Sequence, residues 1–349
     1  TQNPFFARKY RFESDQWYEI MKNSIIYAIG NALLDYEYRV SEDFLNEINL
    51  TKGCMELNDR ENHIRIHSEI KNKFKDIKVM PGGSVANSIY TLAQLNLNVA
   101  FSGKVTDDKS GNIFIKSLEK IGVNTKIIKS NMYETGECLV LITDDNERTM
   151  YTYLGSSADL RHEDISTEMI KNSKYVLVEG YLVSSTTTTD VAKHAFEKAS
   201  ALKTKKILTL SDPNIVKFFH ENIIMLMDQH LDMVFCNENE AYNISKTDNL
   251  SDAVNFLKKY SNEIIITLGE KGSLFSDTHG TVNVEAIKAN PVDLTGAGDM
   301  FLASFIYSRE KDNNVLNALK FANHCSGKII EQYGAKLSHK QDYLDLLTI

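Results

Sequence analysis

Short apolar runs alternate with amphipathic stretches along most of the chain. Residues 25–30 (IIYAIG) form the first run with the length and β-branched content of a buried strand. Charged stretches with helical spacing follow, notably residues 63–74. Behind Gly82-Gly83, the apolar side chains of Val85, Ile89, Leu92 and Leu95 recur at helical spacing and predict a helix over residues 84–97. Residues 99–103 predict another strand and residues 111–121 another helix.

The middle of the chain differs. Residues 125–129, 138–143 and 149–154 are short β-type runs, and Asp144-Asp145-Asn146 reads as the hairpin turn between two of them. This cluster predicts a small β-rich lid. From residue 174 the alternation returns. Strands are expected at 175–179, 206–210, 233–236 and 263–268, with helices at 191–202 and 251–259 between them. The part from Gly296 onward is mostly helical in pattern. Strands alternating with helices predict an α/β domain with a mainly parallel sheet covered on both faces. Ligands of such sheets bind beyond the carboxyl ends of the strands, so the loops there are expected to carry the chemistry.

Composition narrows the picture. A chain of 349 residues and 39.6 kDa suits one large domain with a small appended one. The formal net charge of −8 disfavours a binder that works by neutralising nucleic-acid phosphates. Cys54, Cys138, Cys236 and Cys325 are dispersed, with no CxxC pair. That fits a reducing compartment and argues against a zinc site or a disulfide framework. No apolar run approaches the length of a membrane span, and the first residues lack the apolar stretch of a signal peptide. A soluble, cytoplasmic protein is expected, with no nucleic-acid or membrane partner.

Five loops could carry chemistry. Residues 293–299 (DLTGAGD) precede an apolar-periodic stretch. If a helix starts there, the amides of Gly296, Ala297 and Gly298 lack intrahelical partners and face an anion with the positive end of the dipole. Asp299 in the first turn could then accept the proton of an attacking hydroxyl. The bland reading is a glycine-rich turn with a helix-start carboxylate. Thr267, Gly269 and Gly272 could bring backbone close to a nucleotide, or could simply form a β-turn. Asn237 and Glu240 could hold hydrated Mg²⁺, or could cap a helix. Gly83 and Asn87 could meet a polar ligand, and Asn31 and Asp35 two vicinal hydroxyls. Arg148 beside the hairpin is either a surface arginine or one that reaches a phosphate when a lid closes. The nine histidines are read as surface or core residues.

Taken in order, these loops resemble the PfkB (ribokinase-like) family of ATP-dependent kinases, over residues 25–336. Within the family, GNALLD, GGSVAN, TGECLVLITDDNERTMYTYLG and NENEA are similar to segments of the adenosine kinases, and DLTGAGD resembles the C-terminal signature. The resemblance implies a ribokinase-like α/β domain over residues 25–349. Its lid would be built from segments near 35–50 and 125–154, after an N-terminal extension of residues 1–24. It implies an ATP- and Mg²⁺-dependent phosphotransferase acting on the 5′-hydroxyl of a ribonucleoside, adenosine first, as a monomer or a lid-mediated homodimer. Asp299 would be the base, and Gly296, Ala297 and Gly298 the anion hole. Asn31, Asp35, Gly83, Asn87 and Arg148 would hold substrate. Asn237, Glu240, Thr267, Gly269, Gly272 and Asn323 would hold ATP, with Mg²⁺ reached from Asn237 and Glu240 through water. Asp293, Gly334 and Ser338 stand where family members bind a monovalent cation such as K⁺.

Departures from the family pattern bear on the substrate. Leu33 stands where a ribokinase usually has an asparagine, which favours a nucleoside. Against this, Tyr181-Leu182 replaces the paired phenylalanines found in animal adenosine kinases at a base-contacting segment. Leu294 replaces a threonine, which is tolerable if only backbone faces the anion. The alternatives are a sugar kinase of the same family acting on ribose or fructose, and a non-catalytic nucleoside or nucleotide sensor.

Overall fold

The computed structural model describes residues 24–348 apart from residues 54 and 146. Residues 1–23 of the expected N-terminal extension, Cys54 and the third residue of the expected hairpin turn lie outside the described residues, while Ser24 already belongs to the first strand. In chain order the strands are β1 (Ser24–Ile29), β2 (Leu33–Arg39), β3 (Met55–Leu57), β4 (Asp76–Gly82), β5 (Val99–Thr106), β6 (Asn124–Ser130), β7 (Thr135–Ile142), β8 (Arg148–Gly155), β9 (Ser173–Glu179), β10 (Lys205–Thr209), β11 (Leu231–Asn237), β12 (Ser261–Thr267), β13 (Ser273–Ser276) and β14 (Thr281–Val284).

These strands form two sheets, of nine and five strands. The large sheet runs β14-β13-β12-β11-β10-β9-β1-β5-β6. It is parallel from β6 to β12, and β13 and β14 close one edge antiparallel. Alternating side chains of its central strands feed two separate cores. Tyr27, Ile29, Val176 and Val178 enter one, and Ile26, Ala28, Tyr175 and Leu177 the other. Both faces are therefore covered, as the continuous apolar strands require. The second core is closed by helix Ala297–Asp312, whose fully buried Phe305 packs on Phe235 and Phe275. One such side chain contributes about 1.5–3 kcal/mol. From β1 the chain builds outward through β5 to β6, then returns to the other side of β1 at β9. The β1–β9 pair is thus the topological switch point, and a crevice opens at its carboxyl end. This is the ribokinase-like α/β fold.

The small sheet runs β3-β8-β7-β2-β4. Its strands alternate faces with period two. Leu33 and Asp35, Met55 and Leu57, Cys138 and Val140, and Met150, Thr152 and Leu154 face a cavity over the large sheet. Tyr38, Leu139, Leu141 and Tyr151 face away and pack on Ile66 and Ile70 of helix Arg60–Lys73 and on Phe44 and Leu45. The β7–β8 hairpin matches the expectation. The boundaries of the lid do not. Residues 124–130, expected in the lid, are the edge strand β6 of the large sheet, while β3 and β4 join the small one. A β-type run reports a strand and not which sheet it enters. Among the described residues no helix is long and apolar enough to cross a membrane.

Candidate active site

The crevice is assembled around a buried carboxylate. Glu179, the last residue of β9, accepts from the backbone N–H of Asn31 at 2.7 Å and of Val85 at 3.0 Å. It thereby ties the turn after β1 to the start of helix Ser84–Gln94. Burial pushes its pKa up to about 7, against the pull of these two amides. Gly83 caps that helix at φ 95°, and a Cβ there would lie 2.3 Å from the Asn31 carbonyl oxygen. Only glycine accommodates both demands.

Helix Ser84–Gln94 then presents two donors to Asp299. Ser84 Oγ donates to Asp299 Oδ1 at 2.7 Å, and Asn87 Nδ2 to Oδ2 at 2.9 Å. Burial pushes Asp299 up to about 6, and the Ser84 and Asn87 donors hold it below what burial alone would impose. A carboxylate in this range is charged at neutral pH yet basic enough to take a proton.

Asp299 stands in the first turn of helix Ala297–Asp312, capped by Gly296 at φ 74° against Ala335. The amide of Ala297 reaches the Leu294 carbonyl at a long 3.3 Å. The amides of Gly298 and Asp299 meet no acceptor among the described residues. Residues 294–299 line the cavity, so the helix end faces open space, as an anion hole requires. The N–H groups of Gly298 and Asp299 would serve such a hole better than that of Ala297, which is partly engaged. The Leu294 side chain is 64% exposed, so its departure from threonine leaves this backbone geometry undisturbed.

Across the cavity Asp35 lies against Gly82, where any Cβ would fall 2.2 Å from its carboxylate oxygens. Burial pushes Asp35 up to about 7, opposed by Lys336 and Arg148. Lys336, which sequence reasoning missed, does not line the cavity but acts electrostatically on Asp35 and Asp299 from behind it. It is buried, its ammonium donates to the Pro81 carbonyl and lies 4.9 Å from the centroid of the Tyr90 ring. Burial pushes it down to about 8, while Asp35 and Asp299 pull it back toward the charged form. Its only sequence signal was its position inside the GAKLS string, read there for a cation. Glu179 carried no motif at all.

Arg148 is neither a surface residue nor free to move to a phosphate as it stands. Its Nη2 donates to Glu37 Oε1 at 3.2 Å, and its Nη1 lies 2.8 Å from Asp293 Oδ1, close enough for an ion pair but not aligned for a hydrogen bond. Burial outweighs Arg148 at Glu37, whose pKa stands above the ordinary range. Asp293 also accepts from the amides of Thr295 at 2.9 Å and Gly334 at 2.6 Å. With its carboxylate so engaged, Asp293 fits a monovalent cation poorly, and Ser338 is not among the cavity residues.

The cavity, of about 480 Å³, is of small-molecule size. Asn31, Asp35, Gly83, Asn87, Arg148, Asn237, Glu240, Thr267 and residues 296–299 all line it. Gly269, Gly272 and Asn323 do not. Gly272 turns at φ 96° against the Val284 carbonyl, which is the β-turn reading. Asn323 spends its amide on the carbonyls of Val284 and Glu285, at 3.2 and 3.1 Å. Asn237 and Glu240 form a reciprocal helix cap: Glu240 N donates to Asn237 Oδ1 at 2.8 Å, and Asn237 N to Glu240 Oε2 at 3.0 Å. Burial pushes Glu240 up to about 8. Both residues line the cavity, but their mutual bonds leave them fit to reach Mg²⁺ only through water.

Comparison with known proteins agrees with this geometry. The family model described as "pfkB family carbohydrate kinase" matches residues 52–342. The chain belongs to the pfkB family of carbohydrate kinases. It is therefore a kinase, and membership implies ATP and typically Mg²⁺ acting with a small-molecule substrate. The chain is 25% identical to a ribokinase of Staphylococcus aureus (strain COL), over 75% of this chain and 85% of that one. It is 29% identical to a probable fructokinase-5 of Arabidopsis thaliana, over 73% and 83%. Among solved structures, the adenosine kinase from Sinorhizobium meliloti is 28% identical, with a TM-score of 0.86, covering 93% of this pfkB kinase and 99% of that chain. A probable sugar kinase from Rhizobium etli CFN 42 is 26% identical with a TM-score of 0.86, over 92% and 98%.

Proposed function

We propose that this kinase transfers the γ-phosphoryl group of ATP to the primary hydroxyl of a ribonucleoside, with adenosine as the leading substrate. The observation that carries the nucleoside reading is the apolar lining around Asp35 on the lid sheet, across the cavity from Asp299. Leu33, Met55, Val140, Met150 and Leu154 present apolar side chains there, and Tyr181 adds an aromatic one to the cavity. A free sugar offers such a wall only small C–H patches among its hydroxyls, whereas a base buries two broad faces on it.

In this reading Asp35 accepts hydrogen bonds from vicinal hydroxyls, and Asn31 and the Gly83 turn set the position of the ribose. The primary hydroxyl meets Asp299, which takes its proton as the oxygen bonds to phosphorus and the bond to ADP breaks. The unpartnered amides of the helix start, with Lys336 nearby, neutralise charge on the transferring group. Asn237 and Glu240 would hold Mg²⁺ through water, and the ion, when bound, would supply charge neutralisation to the phosphates of ATP. The lid sheet excludes water, which suppresses hydrolysis of ATP.

ADP release with adenosine, other nucleosides, ribose, fructose and tagatose as acceptors tests the substrate. Turnover with adenosine and none with the sugars is expected. Turnover with ribose or fructose alone would replace this reading by the sugar-kinase one, which the ribokinase and fructokinase relatives favour. Asp299→Asn is expected to lower kcat by on the order of 10²–10⁴-fold with the thermal midpoint not reduced; near-native turnover would remove Asp299 from the chemistry.

A further inference from the structure

Helix Arg60–Lys73 packs on the outer face of the lid sheet, away from the cavity, and carries His63 and His67 four residues apart. Residues at i and i+4 share one face of a helix. Both imidazoles turn to Glu137 on β7. His63 Nε2 lies 3.1 Å and His67 Nδ1 3.2 Å from the same oxygen, Glu137 Oε2. Both histidines are buried, while the Glu137 side chain keeps 21% exposure and leaves a path from solvent. The three ligand atoms lie within 4.8 Å of one another, and among the described residues no other group of three such ligands is assembled.

We infer that His63, His67 and Glu137 form a binding site for a divalent transition-metal ion, Zn²⁺, distinct from the phosphate-binding Mg²⁺ of the kinase reaction. Two imidazoles and one carboxylate are a borderline donor set that suits Zn²⁺ over Mg²⁺ or Ca²⁺, which prefer all-oxygen ligands. Three protein ligands leave a fourth tetrahedral position for water. The outer groups are in place as well. Tyr38 Oη lies 3.0 Å from His67 Nε2, and Ser110 Oγ donates to Glu137 Oε1 at 3.3 Å. Without metal, the two ring N–H groups facing Glu137 donate to it. On metal binding, each of those nitrogens gives its lone pair to the ion and the proton moves to the other ring nitrogen. For His67 that nitrogen then donates to Tyr38, and the tautomer is fixed by this partner. His63 Nδ1 is buried with no partner and is free to carry the relocated proton. The next residue of β7, Cys138, lines the cavity. The ion would therefore pin helix Arg60–Lys73 to the back of the strand that walls the substrate site. The cysteine count had argued against zinc, but it has no bearing on a histidine–carboxylate set. Reading the histidines as surface or core residues passed over the HIRIH spacing of His63 and His67, and Glu137 stands 74 residues beyond His63.

The test uses the full chain stripped with chelator, free of nucleotide and Mg²⁺, and titrated with ZnCl₂ and CoCl₂. One equivalent of Zn²⁺ is expected to bind. The Co²⁺ form should show visible absorption of a tetrahedral site, and X-ray absorption of the Zn²⁺ form should show nitrogen and oxygen neighbours without sulfur. Tyr38→Phe should weaken Zn²⁺ binding by about 10–100-fold, and His63→Gln and Glu137→Gln by more. An excess of Mg²⁺ should not displace the ion. Should His63→Gln fail to fold, Glu137→Gln and Tyr38→Phe decide. No retained Zn²⁺ in the wild type, sulfur ligation, or equal affinity in the variants would overturn the inference. None of these outcomes depends on which acceptor the kinase uses.

Discussion

Replacing Ser84 by alanine removes one hydrogen bond from Asp299, the carboxylate proposed as the base, and leaves the other. Ser84 Oγ donates to Asp299 Oδ1 at 2.7 Å, while Asn87 keeps hold of Oδ2. Of the groups that lower the pKa of Asp299 against burial, Ser84 is the largest. A hydrogen bond to a charged group is worth about 1.5–3 kcal/mol, and about 1.4 kcal/mol corresponds to one pKa unit. Loss of Ser84 should therefore move Asp299 from about 6 to roughly 7–8. A base must be deprotonated to act, so wild-type kcat/KM should climb with pH through about 6 and then level. In Ser84→Ala the climb should shift upward by about one to two units. At pH 7 the ionised fraction would fall from about nine-tenths to between about one half and one tenth. Activity there should drop by about two- to ninefold and recover at alkaline pH. Ser84→Thr keeps the donor and should keep the wild-type profile. The assay is the steady-state rate of ADP release at saturating ATP across the pH range. A uniform loss at every pH with an unmoved limb would refute the role assigned to Asp299.

Two glycines of the same turn should separate fold from chemistry: Gly296→Ala collides with Ala335 at φ 74° and should lower the thermal midpoint, whereas Gly298→Ala meets nothing within 4 Å and should fold normally yet lose at least tenfold in kcat, roughly, because its methyl enters the anion hole. Asp35, Glu179, Glu240 and Asp299 all have folded-state pKa values raised by burial, to about 7, 7, 8 and 6. The folded chain therefore binds more protons than the unfolded one between roughly pH 4 and 8, and ligand-free stability should fall as pH rises through that window, with the thermal midpoint several degrees higher near pH 5.5 than near pH 8, roughly. Arg148→Met leaves Glu37 and Asp293 buried without their cation and should cost about 3–5 kcal/mol in denaturant unfolding, part of which Glu37→Gln in the same chain should restore.

The alternation of strands and helices was legible because the central strands of the large sheet, such as β1, β5 and β9, are buried on both faces and read as continuous apolar runs. β6 was legible as a strand but not as an edge of that sheet, since its half-buried residues resemble those of a lid. The glycine loops were legible because close approach leaves a trace in composition: Gly83 and Gly296 are where a Cβ would strike backbone. What was not legible are contacts that only folding creates. Ser84 and Asp299 are 215 residues apart in sequence, and nothing near Ser84 marks it as a partner. Lys336 acquires its meaning from burial beneath Pro81 and Tyr90, and Arg148 from Glu37 and Asp293, none of which its neighbours announce.

The division between sequence and structural relatives has a physical reading. In the proposed function the hydrogen-bonding set, Asn31, Asp35, Gly83, Asn87 and Asp299, would serve a hydroxylated ring and a proton transfer, which any sugar or sugar-bearing acceptor needs. A sequence comparison dominated by these loops therefore finds ribokinases and fructokinases. The part of the cavity able to tell a base from its absence is the apolar wall on β2, β7 and β8, where the requirement is volume and not identity. Leu33, Val140, Met150 and Leu154 can be exchanged among aliphatic residues at small cost, so they leave a faint sequence record while retaining the shape that an overlay detects. Leu33→Asn puts a hydrogen-bonding group into that wall. It should lower kcat/KM for adenosine by about tenfold, the cost of one unsatisfied buried polar group, while leaving ribose turnover unreduced. A variant that loses both equally would place acceptor selection elsewhere in the cavity.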